Sequence, residues 1–254
     1  MILVLSGEGP SDLGMCTNAQ GRCSDTNFQS GPITVLLEQL IERRLGYALS
    51  DNPNAIQFIS KARLLEFAAK RKANKRSVIL PGKKHGLETG YFHANALDLG
   101  QASLEIEAEF ADNAVAVLFR DHDKMRSDPP ALWDQKWKSM LDGFHRAQFP
   151  RGVPMLPNPK SEAWLLCAAK KQPFQHCAKL EDVPGNDDAP NSAKEQLAHA
   201  LGGEKSSVEL AEWMRGIAFD AKGASTMPSF SANAGDRWAC GAAFALQANR
   251  ETDT

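Results

Sequence analysis

Met1-Ile-Leu-Val-Leu-Ser-Gly-Glu8 and Ala114-Val-Ala-Val-Leu-Phe-Arg-Asp-His-Asp123 are the two stretches on which the fold turns. Each is a short, continuously apolar run that ends in acid: Glu8 within Gly7-Glu8-Gly9, then Asp121 and Asp123 in Arg120-Asp121-His122-Asp123. Runs of this length without polar alternation read as strands buried on both faces, the habit of parallel sheets. Open α/β sheets bind ligands outside the carboxyl ends of such strands. If the two strands are neighbours, Glu8, Asp121 and Asp123 converge. Carboxylates held together repel unless a divalent cation lies among them, so the pattern predicts a Mg2+ or Mn2+ site.

The flanking sequence supplies the helices such a sheet needs. A long loop rich in Gly, Ser, Asn and Asp is expected from Glu8 to Ser30, mobile until substrate orders it. Gly31-Pro32 then opens a helix in which Val35, Leu36, Leu40, Ile41 and Leu45 recur at helical spacing up to Gly46. Ala55 to Ile59 reads as a strand, followed by a basic amphipathic helix containing Leu64, Leu65 and Phe67, and by a short apolar piece from Ser77 to Leu80. A helix within Leu87 to Phe110 leads into the second diagnostic strand. Beyond it come a helix from Pro129-Pro130 to about Gln148, a last strand over Val153 to Leu156, and a compact helix over Ser161 to Ala169. Strand and helix alternate, the order of an α/β doubly wound, mainly parallel sheet spanning residues 1–171. After Lys171 short helices separated by Gly, Pro, Asn and Asp clusters predict a small helical C-terminal lobe over residues 172–254. Ser192 or Asn191 is placed to cap a helix there, with further helices over Val208 to Ala218 and Trp238 to Leu246.

A chain of 254 residues is long enough to bury an ample core without covalent staples. The odd cysteine count (Cys16, Cys23, Cys167, Cys177, Cys240) and a first strand that begins at residue 2 point to free thiols in a reducing, cytoplasmic setting. No apolar stretch reaches the length of a membrane span, so no membrane partner is expected. Net charge is −2, with 29 Lys plus Arg against 31 Asp plus Glu, which excludes a uniformly basic coat for nucleic acid. Basic charge does concentrate in Lys61-Ala-Arg63, in Lys70 to Arg76 and in Lys83-Lys84-His85. These read either as a solvated helix face or as phosphate contacts.

Around the acids the spacing carries further chemistry. The glycines beside Glu8 let backbone approach a ligand, and Asp12, four residues on, can share the same ion or steer a bound water. In an extended Asp121-His122-Asp123 both acids project to one side and His122 to the other. Lys160 either contacts a phosphate or is a surface lysine. Trp133, Trp137 and Trp164 fall at core spacing, so packing is expected of them before base stacking.

An apolar strand ending in Glu-Gly-x-x-Asp, and a later one ending in Asp-x-Asp, resembles the Toprim fold shared by topoisomerases, primases, ribonuclease M-five-type maturases and OLD-family nucleases. Glu162-Ala-Trp-Leu-Leu166, Ser192-Ala-Lys194 and Pro228-Ser-Phe230 extend the likeness to small stand-alone OLD-like Toprim proteins of bacteria. The resemblance implies metal-dependent cleavage of a phosphodiester in DNA or RNA. It implies Glu8 as metal ligand or general acid/base, Asp121 and Asp123 as metal ligands, and Glu162 as ligand of a second ion. It also implies an anti-phage or mobile-element effector working with an ABC-type ATPase, supplied in trans because this chain has no Walker A sequence. Neither Tyr47 nor Tyr91 stands in a topoisomerase-like context, so hydrolysis by water is expected rather than strand passage. Two other readings stand beside it: a nucleotide-sugar transferase using the DxD for Mn2+, and a catalytically idle module that regulates an ATPase.

Overall fold

The computed structural model describes residues 1–18, 20–73, 89–123, 128–129 and 131–234. The apolar piece at 77–80, the basic run at 83–85, Cys240 and the helix expected over 238–246 lie outside these residues.

Both diagnostic runs are strands. β1 (Ile2–Ser6) and β6 (Ala114–Phe119) lie side by side, parallel, in register Ile2↔Ala114 to Ser6↔Leu118. β5 (Ile56–Ile59) pairs parallel to β1 on its other side, and β7 (Gly152–Met155) pairs parallel to β6. The sheet is completed by a short antiparallel edge strand, β3 (Arg22–Ser24), giving the order β3-β5-β1-β6-β7. The architecture is thus a mixed, mostly parallel five-stranded α/β sheet.

Successive strand residues point to opposite faces, and two separate apolar clusters result. Leu3, Leu5, Val115 and Val117 face α1 (Pro32–Leu45), α5 (Ser161–Ala169) and the C-terminal helices. Ile2, Val4, Ala116 and Leu118 face α2 (Lys61–Ala73), α3 (Gly90–Phe110) and α4 (Leu132–Arg146). Helices therefore cover both faces, which explains why the strands are apolar throughout. Trp164 is fully buried and Trp137 nearly so, in line with the packing expected of them.

After α5 come α6 (Ala193–Ala200), α7 (Ser207–Arg215), α8 (Ala221–Ala224) and α9 (Pro228–Ala234). Ser192 is the cap of α6, accepting from the Glu195 N–H at 3.2 Å. Leu197, Met214, Phe219 and Phe230 belong to the same apolar cluster as Leu3 and Val117. The Trp164 indole donates to the Ser229 hydroxyl at 3.0 Å, tying the Pro228-Ser-Phe230 element to α5.

Two expectations need correction. The segment from Glu8 to Ser30 is no plain loop: it contains β2 (Gly14–Cys16) and β4 (Phe28–Ser30), which pair antiparallel, and it lends β3 to the main sheet. Three-residue strands are too short to show an alternation, so the segment reads as loop in sequence. Gly14 and Gly31 make the close crossing possible. Gly14 sits at φ +106°, and a Cβ on either would meet backbone oxygen at 2.0 or 2.2 Å. The free thiols are the second correction: Cys16 is bonded to Cys23 (Cα–Cα 5.6 Å) and Cys167 to Cys177 (5.4 Å). The partners meet through β2 facing β3 and through α5 facing the turn after it, contacts that cysteine spacing does not encode. With four of the five cysteines paired, the argument from free thiols to a reducing setting lapses. Among the described residues no helix is long and apolar enough to cross a membrane.

Candidate active site

Because β1 and β6 are adjacent and parallel, the carboxylates that follow them emerge at one edge of the sheet. The chain after β6 keeps company with the chain after β7: the Arg120 N–H donates to Met155 O at 2.9 Å, His122 to Pro157 O at 3.1 Å and Asp123 to Pro159 O at 3.1 Å. This extended ladder delivers Asp121 to the first turn of α5, where the Ser161 N–H donates to Asp121 Oδ1 at 3.0 Å. Helix N-termini favour such a carboxylate.

Asp12 reaches the same place from β1. Its backbone is fixed by the start of α1, since the Ile33 N–H donates to Asp12 O at 3.0 Å and the Thr34 hydroxyl to Leu13 O at 2.6 Å. Its side chain is buried, accepts from the Ser11 hydroxyl at 2.9 Å and lies beside the Ser161 side chain, which eases its charge. Glu162, in the first turn of α5, accepts from the Ser161 hydroxyl at 3.3 Å. Ser161 is therefore a hub joining Asp12, Asp121 and Glu162. Nothing in a lone serine at a helix start signals that role in sequence.

Electrostatics single out the same group. Burial, then the charges of Asp12, Glu162 and Asp123, hold the Asp121 carboxyl well above the usual carboxylate range. Asp12 is pushed up by burial against the pull of its serine bonds and of Lys160. Glu162 is raised by burial, with Asp12 and Asp187 adding to it. Among the described residues no three His, Cys, Asp or Glu side chains stand as a ready-made cation cage. Asp12, Asp121 and Glu162 form an electrostatic neighbourhood, not a finished coordination shell.

The remaining expected residues take other positions. Asp123 is not extended: at φ +50° it is left-handed, a region that Asp tolerates better than most residues. The twist breaks the expected same-side pairing with Asp121. Asp123 turns outward, with its side chain 57% exposed and Oδ1 3.5 Å from Lys160 Nζ. Lys160 also bonds Asp187 at 3.0 Å. Burial works against the Lys160 charge, but Asp187, Asp123 and Asp121 more than offset it and raise its pKa. Asp187, which the turn-rich sequence around it casts as a solvated turn residue, thus belongs to the site. Lys160, Asp123 and Asp187 line a cleft of about 1160 Å3 together with Asp128, Asp182 and Asp188.

Glu8 sits between the acids and a pair of polar groups: its charge adds to the upward push on Asp12, while its own contacts are with α2 and α3. Its Oε1 lies 3.3 Å from Lys61 Nζ and accepts from the Tyr91 hydroxyl, also at 3.3 Å. Behind Tyr91 sits Arg120, fully buried, donating to Phe119 O at 2.6 Å, Asn95 Oδ1 at 2.8 Å and Ser6 O at 3.3 Å. In sequence Tyr91 is weighed only as a nucleophile and set aside, and Arg120 is given no role. An arginine after a buried strand was the available signal, but its inward turn depends on Asn95 and Tyr91 of α3, far along the chain.

No family model, no curated protein and no solved structure matches this chain. The class that fold and site define is a mixed α/β protein with an acidic cluster and a cationic cluster at the carboxyl edge of its sheet.

Proposed function

We propose that the protein is a divalent-metal-dependent phosphodiester hydrolase of Toprim type acting on nucleic acid. The observation that carries this is the gathering of Asp12, Asp121 and Glu162 around Ser161 at the carboxyl edge of the sheet. Three raised carboxyls whose charges act on one another are costly to ionise together, and an all-oxygen donor set suits Mg2+ or Mn2+. Asp12, Asp121 and Glu162 would hold the cation, with Asp123 at its margin. A cation there supplies charge neutralisation at phosphoryl oxygens and activation of water.

The chain's own residues divide the rest of the work. Glu8, in the bend that follows β1 and 44% exposed, is the general base or acid; Lys61 and Tyr91 hold its carboxylate in place. Lys160 screens the acids and exchanges one of its two aspartates for a phosphate oxygen when substrate arrives. Any ATP-driven step falls to an ABC-type ATPase acting in trans, since the chain has no Walker A sequence.

The test is incubation of the protein with end-labelled DNA and RNA under Mg2+, Mn2+ and EDTA. Cleavage that EDTA abolishes is the expected result. Release of sugar from a nucleotide sugar in its place would favour the transferase, and inertness towards all of them the regulatory module.

A further inference from the structure

The two halves of the sheet edge carry opposite charge. On the side of α1 and α5, Asp12, Asp121, Asp123, Glu162 and Asp187 gather near Lys160. On the side of α2 and α3 two cations, Lys61 after β5 and Arg120 after β6, lie 5.2 and 5.7 Å from the centre of the Tyr91 ring, with Glu8 as the carboxylate whose charge acts on both. Arg120 makes no ion pair among the described residues, although its side chain is fully buried and its Nε has no hydrogen-bond partner. A buried guanidinium that no carboxylate touches directly is expensive and is retained where its charge is used. α3 starts at the same spot, with no acid in its first turn and no side-chain capping bond from Thr89. Its N-terminal dipole adds to the positive potential.

We propose that Lys61 and Tyr91, backed by Arg120, form a subsite for a second phosphate of the substrate, one removed from the phosphate that is cleaved. The proposal rests on the hydrolase reading above and names its substrate class: a polynucleotide strand, not an isolated diester or a nucleotide sugar. Lys61 follows β5 and Asp121 follows β6, with β1 between them. Two strand spacings amount to about 10 Å, more than one phosphate can bridge. The Lys61 ammonium is 43% exposed and has three donors; one serves Glu8 and one Tyr91, which leaves one for a phosphate oxygen. Arg120, buried behind the ring, cannot touch the strand and is a positioning residue.

Two measurements test this. Binding of a fluorescein-labelled oligothymidylate of about twelve nucleotides is followed by anisotropy in EDTA across a series of salt concentrations. Turnover with Mn2+ is compared on the same oligonucleotide and on bis(p-nitrophenyl) phosphate, which carries one phosphate. For Lys61→Ala the expected results are an affinity lower by roughly five- to tenfold and a log K against log salt slope shallower by about 0.7, the loss of one single-strand phosphate contact. kcat/KM should fall at least fivefold further on the oligonucleotide than on the diester, with Lys61→Arg restoring most of both. An unchanged salt slope, or an equal loss on the two substrates, overturns the subsite and leaves Lys61 as a support for Glu8 alone. If the wild type cleaves neither substrate, the hydrolase reading fails, and the salt slope in EDTA still decides the subsite.

Discussion

The exits of β1 and β6 look alike in sequence and differ in the folded chain. Each apolar strand ends in a carboxylate, and the two strands are neighbours. Glu8 leaves β1 half exposed and meets a lysine and a tyrosine. Asp121 leaves β6 among other acids, bonded only at the head of α5 in what the structure describes of it. The strand end thus determines where a carboxylate emerges, while the facing element determines its chemistry. One exit is built to hold a charge in place, the other to need a counter-charge.

If that contrast is right, the two acids fail differently when neutralised. Asp121→Asn should cut Mn2+-dependent cleavage by about 10³-fold, several kcal/mol of lost cation-mediated stabilisation. Glu8→Gln should cost roughly 10²-fold, the scale of a lost general base, while Mn2+ affinity stays within about twofold of wild type. Single-turnover rates and Mn2+ binding measured on both variants separate the roles; equal loss of Mn2+ binding would erase the distinction. Asp187→Asn should have a smaller effect, roughly threefold to tenfold, because it removes one of the two aspartates on Lys160 and not a member of the Ser161 group. A loss as large as that of Asp121→Asn would move Asp187 into the centre of the site.

The smallest expected effect is on stability. A carboxyl whose pKa is higher folded than unfolded takes up a proton on folding. Its cost is absent below the ordinary value near 3.8, grows as pH rises through the window up to the raised folded value, and is complete above it. Asp121→Asn should therefore raise Tm at about pH 7.5 by roughly 2–4 °C for each kcal/mol relieved, and give no gain near pH 4. Thermal melts at the two pH values check the sign. Destabilisation at about pH 7.5 would mean that the bond from Ser161 outweighs the repulsion.

The sheet was legible because burial on both faces leaves an unmistakable mark: unbroken apolar runs at Ile2–Ser6 and Ala114–Phe119. The ends of α1 were legible too, since Pro32 and Gly46 act through their own backbone, Gly46 at φ +77° closing the helix. The pieces that escaped depend on partners distant in the chain. β3 is a strand only because β5 accepts it at an edge, and Cys16 pairs with Cys23 only because β2 and β3 meet. In the site, Asp121 and Glu162 were visible from strand and helix ends. Asp12 was visible as a partner for the same ion four residues after Glu8, but its place at the centre was not, since that comes from α1 gripping the backbone of residues 12 and 13. Asp123 departed from the extended reading through one left-handed residue.

The central claim is a divalent site at Asp12, Asp121 and Glu162, and calorimetric titration of Mn2+ into the protein tests it most directly. Raised carboxyls must shed protons as the ion binds. The account predicts saturable binding to the wild type, a heat that changes with the ionisation enthalpy of the buffer, and loss of that binding in Asp121→Asn. No binding to the wild type, or equal binding to Asp121→Asn, would contradict it.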